Sequence, residues 1–246
     1  MKKLTMALVA IALVLCMAQV AMAKVDITAG IKAGYEHYMT NYDEGGIIYQ
    51  ANLFGLKVNG QFDFTNKLGV LAQIGIGLGK LKESEAGNDM TANVLKLNFS
   101  TFVKYGIFAN NLIDVAVQVG LSGVYAKDDI WGGNEIKILF VTPGICVNVN
   151  INSKLKVYTD IKIPVFYVGS STWADFEEDQ GFFKHFLYDV TLGLSYAISP
   201  VFSIGVEATT DNTYTDIVSG MVQSKANNNK FAYGGFTVGM KVNYKF

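Results

Sequence analysis

Only two side chains in this 246-residue sequence titrate near neutral pH by default, His37 and His185. General acid–base or nucleophilic catalysis needs an imidazole within hydrogen-bond reach of a carboxylate or hydroxyl. His37 precedes Asp43 and Glu44, and His185 follows Asp175, Glu177, Glu178 and Asp179. No His-X-Ser pair occurs, and no Asp-X-Asp pair falls on one strand face. A solvated or interfacial ring is the plain reading of both histidines. The run Asp175-Phe176-Glu177-Glu178-Asp179 offers hard oxygen ligands. It lacks the spaced oxygens and the glycine of a calcium loop, so it reads as loop solvation. Cys146 is the one cysteine after residue 23, which leaves it no intrachain disulfide partner and makes it small packing material. The sequence therefore assigns no catalytic, cofactor or metal site, and the expected protein is not an enzyme.

Lysine is the more telling residue. All 20 basic residues are Lys, so bidentate Arg clamps for phosphate or carboxylate are absent. Without Lys2 and Lys3 the chain carries 18 lysines against 21 acids, which is no footprint for nucleic acid. The lysines and acids become interesting once the elements that carry them are drawn. Apolar and polar residues alternate with a period of two through most of the chain, which is the mark of strands with one greasy and one wet face. High Gly, Tyr and Phe counts (25, 13 and 16) with 3 Pro fit strands better than helices.

Ten alternating segments are predicted, at about 25–36, 47–64, 68–80, 93–108, 112–125, 136–151, 155–166, 184–197, 201–210 and 231–246. Short turns at 65–67, 109–111, 152–154 and 198–200 alternate with long connections at 37–46, 81–92, 126–135, 167–183 and 211–230. An even strand count with short turns at one end and long loops at the other suits a closed transmembrane barrel; eight strands is the alternative if one hairpin belongs to a loop or plug. In this register Lys32, Lys57, Lys96, Lys104, Lys156, Lys162 and Lys241 point inward. Asp26, Glu36, Asp63, Asp114, Asp160, Asp189 and Glu207 face them. Two readings stand: the charges pair and fill a narrow lumen, or they line a weak pore whose lysines favour anions.

Aromatic residues bunch at strand ends. Phe62, Phe64, Tyr105, Tyr196, Phe202, Tyr244 and Phe246 sit near the short turns, and Tyr35, Tyr49, Tyr125, Phe186, Tyr188 and Tyr233 near the long connections. Two aromatic girdles are what bilayer interfaces favour, although aromatics also simply prefer strands.

The two ends of the chain complete the picture. Met1-Lys2-Lys3, the apolar stretch 4–22 and the box Ala21-Met22-Ala23 predict a signal peptide over 1–23, cleaved to leave Lys24 first. An uncleaved anchor is the rival; a lipoprotein reading at Cys16 is opposed by bulky Leu15. At the other end Met240, Val242, Tyr244 and Phe246 alternate with Lys241, Asn243 and Lys245. An exposed apolar edge strand invites aggregation in water, whereas a closed barrel in a bilayer has no edge. A lipocalin-like barrel shares the alternation with the opposite polarity.

With these residues the region 24–246 resembles the small bacterial outer-membrane barrels of the OmpA-transmembrane-domain, OmpX and OmpW kind. The resemblance implies an all-β, closed antiparallel up-and-down barrel in outer-membrane lipid. It implies that the barrel-assembly machinery reads Met240, Val242, Tyr244 and Phe246. It carries no catalytic motif; barrel proteases and lipid-modifying barrels need carboxylate, His or Ser constellations that this sequence does not spell. The expected function is a surface-exposed barrel, monomeric, whose long loops meet an external ligand through contacts such as Trp131, Trp173 and Phe176. A narrow porin-like channel lined by Lys32, Lys57, Lys96, Asp160, Lys162, Glu207 and Lys241 is the alternative, and a barrel enzyme a distant third.

Overall fold

In a computed structural model the described residues are 25–42, 47–85, 88–128, 134–171, 176–177, 181–182, 188–210 and 231–246. The predicted signal peptide and its cut at Lys24 lie outside them. The described chain is all strand and turn: β1 (Asp26–Tyr42), β2 (Ile47–Asp63), β3 (Leu68–Glu85), β4 (Asn88–Ala109), β5 (Ile113–Asp128), β6 (Asn134–Asn150), β7 (Leu155–Lys162), β8 (Phe166–Ser171), β9 (Phe176–Glu177), β10 (Gly181–Phe182), β11 (Asp189–Ala197), β12 (Phe202–Thr210) and β13 (Phe231–Lys245). Every pairing is antiparallel, most join chain neighbours, β7 pairs with β11, and β13 closes on β1 from Thr28↔Lys245 to Tyr42↔Phe231. The ring runs β1 to β7, then β11, β12, β13 and back to β1, giving ten wall positions. Closure leaves every wall strand with two partners, so the backbone polar groups are satisfied without water.

The wall differs from the predicted strands in two respects. Within the connections expected at 37–46, 81–92 and 126–135 the described residues are strand, because β1, β3, β4, β5 and β6 continue to Tyr42, Glu85, Asn88, Asp128 and Asn134. Beyond an apolar band the outer face need not be greasy, so hydrogen-bonded pairing continues where the alternation fades. Glu85↔Asn88, for example, still pair at the tip of the β3–β4 hairpin. The predicted strand at 155–166 is interrupted. β7 and β8 both pair with β6, and between Gly144↔Lys162 and Val141↔Phe166 three residues oppose two. Pro143 and Pro164 meet in this bulge and neither can donate a ladder bond. Ile163 and Val165 hold the wall together there by donating to the carbonyls of Pro143 (2.9 Å) and Val141 (3.0 Å).

The polarity is inverted relative to a water-soluble barrel. Phe54 and Ile74 are each 65% exposed, and Met240 is 70% exposed. Ile31, Leu56, Val58, Leu78, Phe99, Val119, Leu192, Val206 and Val238 join them on the outside. A continuous apolar band of this extent would associate in water and is at home in lipid. That excludes the lipocalin-like alternative. Phe62, Tyr105, Tyr196, Tyr244 and Phe246 ring the short-turn end of the band, and Tyr35, Tyr188 and Phe236 the other.

Candidate functional site: the barrel lumen

Alternation sends β1 residues of even number inward together with odd residues of β2, so Lys32 and Glu36 face the lumen beside Lys57, and the same rule places Lys96, Lys162, Asp160, Lys241 and Glu207 there. The seven expected lumen charges therefore share one interior, but they divide into three clusters with different surroundings.

The first cluster seals the barrel toward the long connections. The Glu36 carboxylate is 1% exposed; Lys96 Nζ lies 3.1 Å from its Oε2 and Lys57 Nζ 3.5 Å from its Oε1. Tyr38 donates its hydroxyl to Glu36 Oε2 at 2.8 Å, and Lys96 Nζ sits 4.4 Å from the centre of the Tyr38 ring. Gly55 leaves the space for this carboxylate, since a Cβ there would lie 2.8 Å from Glu36 Oε1. Buried Leu53, Phe102, Ile138 and Phe140 fill what the charges do not. Two lysines on one carboxylate, packed among these side chains, form a plug rather than a wet passage.

The second cluster is centred on Glu207. Lys32 and Lys241 both pair with it, Lys241 at 3.7 Å, and Tyr158 donates to Oε2 at 2.5 Å. Lys241 Nζ stands 3.8 Å above the Tyr158 ring. Gly193 makes this possible: a Cβ there would overlap the Tyr158 ring. The third cluster joins Lys162 to Asp160 at 3.0 Å, with Gln118 and the Cys146 thiol also donating to Asp160 Oδ1. Lys162 Nζ lies 4.8 Å from the centre of the buried Phe102 ring, directly under the plug.

Below the plug the lumen opens into a cavity of about 670 Å³ that reaches the short turns, with Asn152, Ser153, Ser199 and Pro200 at its rim. Asn and Gln amides and eight lysines line it, against the carboxylates of Asp160 and Glu207. The sequence named most of these charges; it missed the split into a sealed half and a wet half. The signal was there in the large inward residues Leu53 and Phe102 above and the inward Asn and Gln residues below, read height by height.

The remaining expected residues lie elsewhere. Met240, Val242, Tyr244 and Phe246 point outward from or just beyond β13, with the Tyr244 and Phe246 rings edge-to-face at 4.9 Å. Trp131 and Trp173 lie outside the described residues, and of Phe176 only its backbone in β9 is described. His37 is on β1, not in a loop. It lies on the outer face, 2.8 Å from Asn52 Oδ1 and 5.5 Å from the Phe236 ring centre, in the aromatic girdle. His185, Asp43, Glu44 and Asp175 lie outside the described residues. Among the described residues no group of three His, Cys, Asp or Glu could hold a metal. On the strand extensions Lys137, 2.8 Å away, holds the Glu135 carboxyl below its usual range.

No protein-family model matches the chain, and no curated protein matches it in sequence. Among solved structures it is similar to the outer membrane protease OmpT from Escherichia coli, with a TM-score of 0.62 at 10% identity, over 90% of this chain and 97% of that one. This is the fold of an outer-membrane β-barrel. Looser likenesses are to Neisserial surface protein A (TM-score 0.39, 13% identity, 91% of this chain and 99% of that one) and to Ail of Yersinia pestis (TM-score 0.38, 14% identity, 90% and 99%). The fold, the closed ten-strand wall and the apolar exterior together make the chain an integral barrel of the outer-membrane type.

Proposed function

We propose that this outer-membrane barrel is a surface-exposed, non-enzymatic protein whose long-end connections meet an external ligand. The observation that carries the reading is the plug: Glu36, Lys96, Tyr38 and Phe102 close the lumen on the long-connection side. A closed lumen leaves the rim as the place where the molecule can act, and loops on a rigid scaffold are the usual seat of binding. In this reading the long connections are extracellular, the short turns and both chain ends are periplasmic, and the protein is a monomer surrounded by lipid. Residues 167–183 and 211–230, with Trp173 and Phe176 in the first, are the proposed contact segments, and Trp131 lies in another. The outward row Met240, Val242, Tyr244 and Phe246 is the proposed signal to the assembly machinery.

Among the described residues the His37 ring partners are Asn52, Tyr35 and Phe236, an arrangement that supports the non-enzymatic reading. The test is epitope labelling on intact cells joined to adhesion assays on epithelial monolayers and extracellular-matrix coatings. Tags at Asp175 and Asn228 are expected to be accessible and a tag at Asn110 not. Deletion of 211–230 is expected to remove adhesion while leaving a heat-modifiable barrel. A tag at Asn110 that labels on intact cells while the other two do not would invert the topology and end the proposal. A narrow channel is the second reading, favoured by the wet half of the lumen.

A further inference from the structure

We infer that the cavity at the short-turn end is a binding site for a small, hydroxylated oxyanion of the sugar-phosphate class. The inference rests on the closed lumen but not on the surface role proposed above. Three observations converge on it. The first is shape: about 670 Å³ below the Glu36–Lys96–Phe102 level, reaching the rim at the short turns, falls within the volume range of small-molecule sites. A blind cavity retains a ligand, where a through-channel would pass it. Its mouth is bounded by closed barrel wall and short turns, so a headgroup carrying acyl chains has no lateral way in.

The second observation is unbalanced charge. Eight lysines line the cavity against Asp160 and Glu207. Some are neutralised by neighbours: Lys162 by Asp160 and Lys245 by Asp26, while Lys57 shares Glu36 with Lys96. Glu207 is shared by Lys32 and Lys241 and cannot balance both. Lys104 and Lys156 have no carboxylate within 4.0 Å among the described residues, although both face the cavity. The rim carboxylates Asp63 and Asp114 take amide donors from Gln61 and Asn150 and make no ion pair with either lysine. Surplus ammonium groups inside a partly desolvated wall focus a positive potential and attract anions.

The third observation is the rest of the lining. Asn59, Gln61, Gln73, Asn148, Asn150 and Asn243 present carboxamides that both donate and accept. Inorganic phosphate near neutral pH has only one or two P–OH groups to offer to acceptors. Hydroxyl groups use donors and acceptors together, which is why the ligand class is hydroxylated as well as anionic. Lysine, a point charge without Arg's planar fork, fits a phosphate held among several ammonium groups.

The experiment uses the full chain refolded in lipid nanodiscs and isothermal titration at low ionic strength with glucose 6-phosphate, inorganic phosphate and glucose as separate probes. Saturable, salt-sensitive binding of glucose 6-phosphate is expected, several-fold tighter than inorganic phosphate, with none for glucose. Lys104→Gln and Lys156→Gln remove no ion pair seen in the wall, and each is expected to weaken binding by about tenfold. Lys137→Gln on the strand extension is the control and is expected to change nothing. Absence of saturable binding to wild-type protein that is heat-modifiable overturns the inference. So does equal weakening by Lys137→Gln, which would mark diffuse charge attraction. Equal affinity for inorganic phosphate and glucose 6-phosphate overturns the hydroxylated class. None of these outcomes bears on surface binding, so the two proposals fail separately.

Discussion

Replacing Glu36 by Gln should destabilise the barrel far more than its size suggests. The carboxylate is 1% exposed and holds Lys96 at 3.1 Å and Lys57 at 3.5 Å, while Lys96 itself is only 3% exposed. Glu36→Gln keeps the shape but removes the charge that both lysines answer. Lys57 is 16% exposed and can turn toward the wet cavity. Lys96 has no such exit, because Phe102, Leu53 and Ala126 are buried around the same stretch of lumen. Breaking a buried pair by removing one partner costs roughly 3–5 kcal/mol, and the Tyr38 hydroxyl beside Lys96 offsets only part of the lost charge. Removing both charges is a different matter: a Glu36→Met, Lys96→Met double variant no longer buries the Lys96 charge without Glu36 and should recover part of that loss. The assay is urea unfolding of the refolded protein in lipid vesicles, followed by tryptophan fluorescence and by the heat-modifiable gel shift. A single variant that loses less than about 1 kcal/mol, or a double variant that loses as much as the single, would refute the buried-pair reasoning.

Other outcomes follow from the same register. Leu192→Lys and Val117→Lys, both on the lipid face, should each cost about 2–4 kcal/mol in the same assay, whereas inward Gln118→Lys, beside Asp160, should be much milder. Equal costs on the two faces would mean the register is wrong. Gly193→Ala, a one-methyl change, should displace the Tyr158 ring and cost about 1–3 kcal/mol, read as a lowered urea midpoint; an unchanged midpoint would show that the ring is not held there. Phe246→Ser, which removes the ring packed on Tyr244, should lower the yield of protease-protected barrel in cells while leaving refolding in vitro nearly unchanged; normal assembly in cells would count against the proposed signal.

Strand face and wall count were legible because a bilayer forces alternation wherever the wall touches lipid. Ile74, Val117 and Leu192 announce the outside as clearly as Lys57, Gln118 and Glu207 announce the inside. Outside the apolar band that force disappears. Lys82, Asp89 and Glu135 therefore looked like loop although their backbones continue the ladder. The bulge at Pro143 and Pro164 was hidden for a different reason: two prolines far apart in sequence become significant only when the register brings both into one irregular stretch of the wall. The plug and the cavity needed height as well as face. Lys96 and Lys104 lie on one face of one strand, yet Lys96 closes the barrel and Lys104 lines open space. Gly193 faces inward, and Tyr158 already occupies the space beside it, which alternation alone does not reveal.

Single-channel recording of the purified protein in planar bilayers tests the central claim, a lumen sealed at the Glu36–Lys96–Phe102 level. The account predicts no stable conductance steps from wild-type protein at moderate voltage, whatever the electrolyte. Uniform, long-lived steps from wild-type protein confirmed as folded by its gel shift would contradict it and return the barrel to the class of open channels.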